Sequence, residues 1–292
     1  MSFDDMPEMP RMLLPGAHEY ADRILAGSKK AAVDYRTVMD VPYGEDYWQK
    51  VDFYLPKDRS ARDLPVMCFL HGGAFRNGFK EWMGFMAPPL VDLPAVFVSF
   101  SYRLAPATRF PEIMHDCFDA LRLVYEQVGQ HGGDRARIYV GGHSAGGHLA
   151  ALLALRRDQS EARGMPGDVV KGCFPVSGLF DLRLDQAVPG GVLERTHGEL
   201  FYDAGIEGDV SPLTLVAGNK TPFFVTWGEN DLEEIVSTSE SFVTALRDEP
   251  CTVEEHVWPR YGHFDTNEAQ GVATDIWVQR ARAWMQSPPR RR

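Results

Sequence analysis

The stretch Gly141-Gly142-His143-Ser144-Ala145-Gly146-Gly147 lies between two apolar runs, at residues 138–140 and 149–154. The first run is typical of a buried strand and the second of a helix, so the sequence predicts a strand, a tight turn and a helix in succession. The Gly-x-Ser-x-Gly pattern then presents Ser144 at the turn as a candidate nucleophile. Glycine two residues before and two residues after this serine avoids the clash that a Cβ would cause in a strained turn.

Two other interpretations compete for this glycine-rich turn. A nucleotide-binding turn would need Gly-x-Gly-x-x-Gly or Gly-x-x-x-x-Gly-Lys-Ser/Thr, and neither spacing is present. An ordinary glycine loop whose serine caps the helix stays open on this motif alone. Residues elsewhere in the chain therefore have to decide whether Ser144 is a nucleophile.

The composition of the 292-residue chain is that of a globular protein with a large core, since 44% of its residues are hydrophobic. Its longest apolar runs have the length of strands and are too short to span a membrane. The start Met1-Ser2-Phe3-Asp4-Asp5 is acidic where a secretory signal would be basic, so a cytoplasmic location is predicted. A net charge of −11 argues against nucleic acid and membrane surfaces as partners, because both are usually anionic.

The cysteines give no sign of a disulfide framework or a zinc site, because they are widely spaced and form no Cys-x-x-Cys pair. The four cysteines are Cys68, Cys117, Cys173 and Cys251. Cys68 and Cys173 lie in apolar, strand-like runs, where a free thiol behaves as a small hydrophobic side chain.

From Pro65 onward, buried apolar runs alternate with helical runs, which is typical of a parallel sheet with crossover helices. The predicted strands cover residues 66–70, 96–100, 137–141, 170–176, 223–227 and 252–258, after two earlier strands near 35–39 and at 50–55. The predicted helices cover residues 113–128, 145–157, 236–247 and 271–285. No linker or repeat divides the chain, so a single α/β domain over residues 1–292 is predicted.

Three segments fall outside this alternation. Residues 1–30 start loosely and continue into a helix near residues 17–26, which covers either an active-site mouth or a sheet edge. Residues 178–212 lack a clear period and form either a small cap at the carboxyl edge of the sheet or a long connection with a short helix. Residues 286–292 are predicted to be a flexible tail, and the last helix and the edge strands are candidates for a homodimer contact.

A nucleophilic serine needs a base, and the base needs a carboxylate to orient it. In hydrolases built on a strand–serine turn–helix unit, the acid and then the histidine follow the serine along the chain. Glu229 and Asp231 lie in the loop after the strand at 223–227, and His263 lies in the loop after the next strand. His263 is therefore the predicted base and Asp231 its partner, with Glu229 as the competing acid.

The loop His71-Gly72-Gly73-Ala74-Phe75 directly follows the strand at 66–70. Glycine in such a loop lets backbone N–H groups approach a tetrahedral intermediate as one half of an oxyanion hole, and the N–H of Ala145 is the other half. His71 is expected to brace this loop by hydrogen bonding. His143 and His148 are expected to point away from Ser144 and to pack around the site.

With these loops in place, the sequence resembles the α/β-hydrolase superfamily, in particular the hormone-sensitive-lipase-like carboxylesterases and the arylformamidases (kynurenine formamidases). The resemblance runs from about Val51 to Trp284. Its motifs are His71-Gly72-Gly73-Ala74 with Gly78, Ser101-Tyr102-Arg103-Leu104-Ala105-Pro106, the Ser144 turn, Ser211-Pro212-Leu213, residues 228–231 and His263. It implies an α/β-hydrolase fold and oxyanion N–H groups from Gly73, Ala74 and Ala145. Ala74 stands where lipase-like members often carry glycine and the arylformamidases a bulky aromatic residue.

The resemblance implies acyl transfer through a serine acyl-enzyme, with no metal or organic cofactor. We expect a serine esterase acting on small to medium, apolar or aromatic esters, with hydrolysis of an N-formyl or N-acyl aryl amine as the alternative. Candidate substrate-pocket residues, which are equally suited to the core, are Phe75, Trp82, Phe85 and Met86.

Three further classes of protein are less consistent with the sequence. A non-catalytic binding protein of this fold commonly lacks the nucleophile or the base, and both are present here. A serine peptidase would be expected to carry an additional substrate-gating domain. Haloalkane and epoxide hydrolases carry aspartate in place of the turn serine.

Overall fold

The apolar runs of the sequence form a central sheet in the computed structural model, which describes residues 2–8, 12–202 and 205–289. The strands are β1 (Arg36–Pro42), β2 (Lys50–Leu55), β3 (Leu64–Leu70), β4 (Val96–Phe100), β5 (Gly133–His143), β6 (Val170–Val176), β7 (Phe223–Gly228) and β8 (Val253–Trp258). Their order across the sheet is β1-β2-β4-β3-β5-β6-β7-β8. β2 is antiparallel to both of its neighbours, and all the other pairs are parallel.

Helices cover both faces of this sheet. They are α1 (Ala17–Asp34), α2 (Ala87–Val91), α3 (Glu112–Gln127), α4 (Ala145–Leu155), α5 (Arg157–Glu161), α6 (Val192–Leu200), α7 (Glu233–Arg247), α8 (His263–Glu268) and α9 (Ile276–Gln286). Buried residues of α3, α4 and α7 share one hydrophobic core. Buried residues of α1, α2 and α9 share the other.

β3 shows why the central strands are continuously apolar. All of its residues are buried, with Val66, Cys68 and Leu70 in one core and Met67 and Phe69 in the other. Because successive side chains of a strand point to opposite faces, a strand covered on both sides has to be apolar at every position. The continuous run therefore follows from the position of β3 between two helical layers.

The elements predicted from the sequence are present, with differences at their ends. β2, β4 and β6 have the predicted bounds, whereas β5 and α1 are longer than predicted. The helix predicted over residues 145–157 divides into α4 and α5. The last helix begins at Ile276 rather than at residue 271, because the Asp275 carboxylate accepts the Trp277 N–H and caps it there. His263, predicted in a loop, is the first residue of α8.

The segments outside the α/β alternation contain helical structure of their own. Residues 178–212 include α6 and short 3-10 helices at Leu184–Gln186 and Glu207–Val210. In this insertion, residues 203–204 lie outside the described residues. The same holds for residues 1 and 9–11 of the N-terminal segment and for residues 290–292 of the predicted tail.

One buried cluster of charges joins the start of the sheet to the segment after β3. The Lys80 Nζ lies 2.9 Å from an Asp40 carboxylate oxygen, 3.0 Å from Asp52 and 2.5 Å from Glu81. The side chains of Lys80, Asp52 and Glu81 are at most 3% exposed. Loss of the cation would leave buried carboxylates without their counter-charge, which is strongly destabilising.

We therefore expect Lys80→Met to lower the free energy of unfolding by about 3–5 kcal/mol in urea titrations. Lys30→Met is the matched control, because Lys30 pairs with Asp34 on the surface and its side chain is 77% exposed. Surface pairs contribute little, so the control should unfold like the wild type. Equal losses in the two variants would contradict a special role for the buried cluster.

Candidate active site

Ser144 occupies a strained turn between the end of β5 and the start of α4. Its φ is 56° and its ψ is −121°, a combination that few residues with a Cβ adopt. The Ser144 N–H donates to the Val176 carbonyl (2.9 Å), and the Ser144 carbonyl accepts the His148 N–H (3.1 Å). The turn is thereby held at the carboxyl end of the sheet.

Two glycines allow this turn to form against the neighbouring strand. A Cβ at Gly146 would overlap the Leu70 carbonyl oxygen and would lie 2.5 Å from the His71 carbonyl oxygen. A Cβ at Gly142 would overlap the Gly146 carbonyl. Glycine at 146 therefore lets the turn approach the end of β3, where the His71 loop begins, and glycine at 142 lets the turn close on itself.

Ser144, His263 and Asp231 form a continuous row of hydrogen bonds. The His263 Nε2 lies 2.9 Å from Ser144 Oγ, and the His263 Nδ1 lies 2.7 Å from Asp231 Oδ1. The Asp231 side chain is fully buried and that of His263 is 8% exposed. Glu229, the competing acid, is exposed and instead accepts the Arg260 N–H (2.8 Å). The structure thus places Asp231, and not Glu229, beside the imidazole.

The Asp231 carboxylate is held in its charged form. Burial alone would raise its pKa, but the neighbouring His263 and hydrogen bonds from His263, Ser177 and the Leu232 N–H outweigh burial and lower the pKa. Asp231 is consequently ionised at neutral pH. An ionised carboxylate stabilises the imidazolium that forms when His263 takes a proton.

His143 supports His263 from the other side. Its Nε2 lies 2.8 Å from the His263 carbonyl oxygen, and the two rings are 4.7 Å apart. Burial, and to a smaller extent the neighbouring His263, lower the pKa of His143 to about 3, so that its imidazole is neutral. Because a carbonyl only accepts, the single proton of that imidazole lies on Nε2. His143 therefore contacts the site without facing Ser144, as the sequence predicts.

The loop after β3 has a backbone that turns sharply beside Ser144. Gly73, Ala74 and Phe75 have φ values of 120°, 53° and 60°, all in or near the left-handed region. The Arg76 and Asn77 N–H groups both donate to the Gly73 carbonyl at 3.0 Å. Gly73 and Ala74 line the same cleft as Ser144 and Ala145.

The N–H groups of Gly73, Ala74 and Ala145 donate no hydrogen bond to another group in the described part of the chain. The Ala145 N–H is the first of α4, where helix N–H groups lack an internal acceptor. Three free donors next to a serine hydroxyl are suited to stabilising an oxyanion.

His71 braces this loop from beneath. Its ring stacks on Tyr102 with centroids 4.4 Å apart, and its Nδ1 lies 2.8 Å from the Gly72 carbonyl oxygen. The Tyr102 hydroxyl donates to the His71 carbonyl (2.8 Å). Burial lowers the pKa of His71 to about 4 and keeps it neutral. His71 is thus in the bracing position that the sequence predicts.

A cleft of about 830 Å³, part of it open to solvent, surrounds Ser144. Its walls come from the sheet edge, from the N-terminal segment (Met12, Leu13, Leu14, Ala17, Tyr20) and from the insertion (Leu179, Val192, Thr196, Leu200). Phe75 and Trp82 line it, as proposed from the sequence. Phe85 lies elsewhere, packed between Gly27 and Gly271, and Met86 is buried in the core. Phe85 and Met86 are therefore not wall residues.

α6 forms one wall through residues on a single face, Val192, Thr196 and Leu200, which are four positions apart. Charged side chains hold both ends of this helix. The Glu234 carboxylate accepts the Val192 N–H (2.7 Å) at its start, and the Arg109 guanidinium donates to the Phe201 carbonyl (2.7 Å) just beyond its end. The negative Glu234 lies at the start of α6, where the helix dipole is positive, and the positive Arg109 lies at its end, where the dipole is negative. Both interactions stabilise the helix in this position.

Two residues that the sequence did not indicate, Ser177 and Thr266, complete the site from behind. Ser177 donates to Asp231 Oδ2 (2.5 Å) and lies 2.8 Å from the Thr266 hydroxyl. Ser177 directly follows β6, so the rule that located Asp231 and His263, a polar residue at the end of a parallel strand, would have located it. Within the described ranges, no cluster of three or more His, Cys, Asp or Glu side chains is arranged to hold a metal ion.

Comparison with known proteins places these features among esterases and formamidases. Residues 51–246 match the BD-FAE family model. The kynurenine formamidase of Salmo salar is 31% identical over 83% of this chain and 80% of its own length. Esterase LipC of Mycobacterium tuberculosis is 32% identical over 71% of this chain. The chain spans about half the length of some curated relatives, 54% for LipC and 53% for the Danio rerio kynurenine formamidase.

Solved structures share the fold. A putative thioesterase from a Silicibacter species has a TM-score of 0.77 and 22% identity, with 91% of this chain and 94% of that one covered. An esterase from Pyrobaculum calidifontis has a TM-score of 0.73 and 22% identity, with 92% and 91% covered. These similarities confirm the α/β-hydrolase fold that the sequence resemblance implies.

The close approach at Gly146 generates a stability prediction. Gly146→Ala would force the new methyl group into the Leu70 carbonyl, so we expect a loss of about 2 kcal/mol or more of unfolding free energy, together with loss of activity. Gly198→Ala in α6 is the control, because a Cβ there meets no atom within 4 Å and alanine favours the helix. Thermal melts of both variants measure the difference. A Gly146→Ala protein that melts with the wild type would contradict the packing argument.

Proposed function

Because this chain belongs to the BD-FAE family of the α/β-hydrolase superfamily, we propose that it hydrolyses carboxylic esters through a serine acyl-enzyme. The observation that carries the proposal is the row of hydrogen bonds from Asp231 through His263 to Ser144, at 2.7 and 2.9 Å, at the floor of a largely apolar cleft. A serine hydroxyl becomes an effective nucleophile when a correctly oriented base takes its proton. Ser144, His263 and Asp231 are accordingly the proposed catalytic residues.

In the proposed reaction, Ser144 Oγ attacks the substrate carbonyl carbon while its proton passes to His263 Nε2. The carbonyl oxygen becomes an oxyanion that accepts hydrogen bonds from the N–H groups of Gly73, Ala74 and Ala145, each contributing about 3–4 kcal/mol to the lowering of the barrier. His263 then gives the proton to the leaving group as the carbonyl–leaving group bond breaks. Water, deprotonated by the same imidazole, attacks the acyl-enzyme and releases the acid and free Ser144.

The cleft supports small to medium, apolar or aromatic substrates. Its walls are mainly apolar, as in sites that bind small molecules. Phe75 and Trp82 are proposed to contact the substrate.

We also propose that residues 1–30 and 178–212 act as a cap on a single hydrolase domain over residues 1–292, because both segments contribute side chains to the cleft walls.

Hydrolysis of a formamide or another aryl amide is the second candidate, supported by similarity to the kynurenine formamidases of Salmo salar and Danio rerio. The same residues would attack the formyl carbon, and His263 would protonate the departing aryl amine.

We further propose a homodimer that pairs through the β8 edge, since β8 ends the sheet and Val257 on it is 39% exposed. Light scattering in solution would return the monomer mass if this is incorrect.

Among the described helices, none combines the length and the apolar character needed to cross a bilayer. A cytoplasmic location is proposed because the four cysteines are free and buried, as expected in a reducing compartment. Cell fractionation that recovers the protein outside the cytoplasm would contradict it.

Ser144→Ala should lower kcat for p-nitrophenyl acetate by at least about a thousandfold, because the proposed acyl-enzyme forms on the Ser144 hydroxyl. A fluorophosphonate probe should label the wild type at Ser144 and leave the variant unlabelled, with circular dichroism unchanged. Ser241→Ala, which alters an exposed serine in α7, is the matched control and should keep full activity. Undiminished turnover by the Ser144→Ala protein would refute the proposed mechanism.

Ester and amide hydrolysis are separated by a paired substrate test on the purified wild type. We expect kcat/KM for phenyl acetate and p-nitrophenyl butyrate to exceed that for formanilide and N-formyl aryl amines, since amides are the less reactive acyl donors. A formanilide that is turned over faster than the matched aryl ester would establish the formamidase alternative instead.

A further inference from the structure

The Asp231 carboxylate has hydrogen-bond partners on both of its oxygens. Oδ1 faces the His263 Nδ1 (2.7 Å) and also accepts the Leu232 N–H (2.8 Å). Oδ2 accepts the Ser177 hydroxyl at 2.5 Å, while the Gly228 N–H is 3.5 Å away. The side chains of Asp231 and Ser177 are fully buried. Of the two donors that face Oδ2, the Ser177 hydroxyl is closer than the Gly228 N–H.

The backbone of Ser177 is strained in a way that presents this hydroxyl to Asp231. Its φ is 49°, in the left-handed region that favours glycine, and it directly follows β6. Its N–H donates to the Thr226 carbonyl on β7 (2.7 Å), which fixes the residue between two strands. A glycine here would relieve the strain but would lack the hydroxyl. Strained residues of this kind concentrate at functional sites.

Counting protons gives the direction of the hydrogen bonds behind Asp231. An ionised carboxylate only accepts, so the single hydroxyl proton of Ser177 points at Asp231 Oδ2. The Thr266 hydroxyl, 2.8 Å from Ser177 Oγ, then has to be the donor in that contact. The same hydroxyl lies 2.9 Å from the His263 carbonyl oxygen, which has two lone pairs and accepts from both His143 and Thr266, so Thr266 shares its proton between Ser177 and this carbonyl. Thr266 thus donates to Ser177 and Ser177 to Asp231, an arrangement in which each hydrogen bond strengthens the next.

We propose that Ser177 is a positioning residue of the reaction, which fixes the rotation of the Asp231 carboxylate so that Oδ1 faces the imidazole, and that Thr266 reinforces it. The proposal rests on the proposed serine hydrolase function. A carboxylate anchored through one oxygen alone can turn about its Cβ–Cγ bond, and the imidazole would then lose its orientation toward Ser144. Ser177 removes that freedom from behind, out of reach of the substrate.

The test compares two substitutions at Ser177. Ser177→Ala removes the hydroxyl and keeps the strained backbone, whereas Ser177→Gly removes the hydroxyl and relieves the strain. We expect both variants to lose about tenfold in kcat with KM unchanged, because a hydrogen bond to a charged group is lost. The glycine variant should nevertheless melt at a higher temperature than the alanine variant. A purely structural role predicts that activity and melting temperature change together.

The pH profile gives a second readout. Without the Ser177 donor the Asp231 carboxylate attracts the proton on the imidazole more strongly, so the acid limb of kcat/KM should move to higher pH in both variants. Thr266→Val should show a smaller, few-fold loss of kcat in the same direction. Ser239→Ala is the control, because the buried Ser239 hydroxyl has no hydrogen-bond partner among the described residues. It should reproduce the wild-type kcat and pH profile.

Failure of this inference can be told apart from failure of the proposed function. If a fluorophosphonate probe labels wild-type Ser144 and labels the Ser177→Ala protein at the same rate and with the same pH dependence, Ser177 has no positioning role. If the probe does not label the wild type, the serine hydrolase function itself is wrong. Slower labelling of both Ser177 variants, with normal labelling of Ser239→Ala, supports the inference.

Discussion

The contact between the Ser144 turn and the end of β3 is the constraint on which the rest of the site depends. Because residue 146 has no side chain, the first turn of α4 can lie directly against the Leu70 and His71 carbonyl groups. This approach brings the Ala145 N–H beside those of Gly73 and Ala74. A larger residue would separate the serine from the proposed oxyanion donors even if the sheet still formed. The chemistry thus depends on a backbone-to-backbone distance set within the core.

The parallel direction of the central strands brings the remaining groups to the same edge. β3, β5, β6, β7 and β8 all end there, and the residues that follow them carry the His71 loop, Ser144, Ser177, Asp231 and His263. Burial keeps the surrounding histidines neutral, with the pKa of His71 and of His148 lowered to about 4. The Asp231 carboxylate is therefore the nearest fixed charge to the imidazole. Its field favours the imidazolium, as the proposed proton transfer from Ser144 requires.

The sequence predicts the ends of the strands best. Ser144, Asp231 and His263 could be singled out because each lies just after a short apolar run. Asp231 rather than Glu229 lies beside His263, because the Asp231 side chain is buried against the imidazole whereas Glu229 is exposed and accepts the Arg260 N–H. The walls of the cleft were harder to predict. Phe85 is aromatic and close to the His71 loop in sequence, but a run of 3-10 turns directs it toward Gly27 of α1. The wall face of α6 could not be assigned because residues 178–212 show no clear period, and the position of this helix depends on the distant side chains Glu234 and Arg109.

Backbone strain is concentrated where the groups of the site meet. Among the described residues other than glycine, those with positive φ are Asp40, Asp63, Ala74, Phe75, Ser144, Ser177 and Arg260. Four of these seven lie in the loops after β3, β5 and β6, next to Ser144. Each such residue lowers stability by about 1–3 kcal/mol, and the buried sheet beneath has to offset that cost. Glycine would remove the strain at Ser144 and Ser177, but it would also remove both hydroxyl groups. The strain is therefore retained because these positions need a side chain, and the two-sided hydrophobic core is what makes it tolerable.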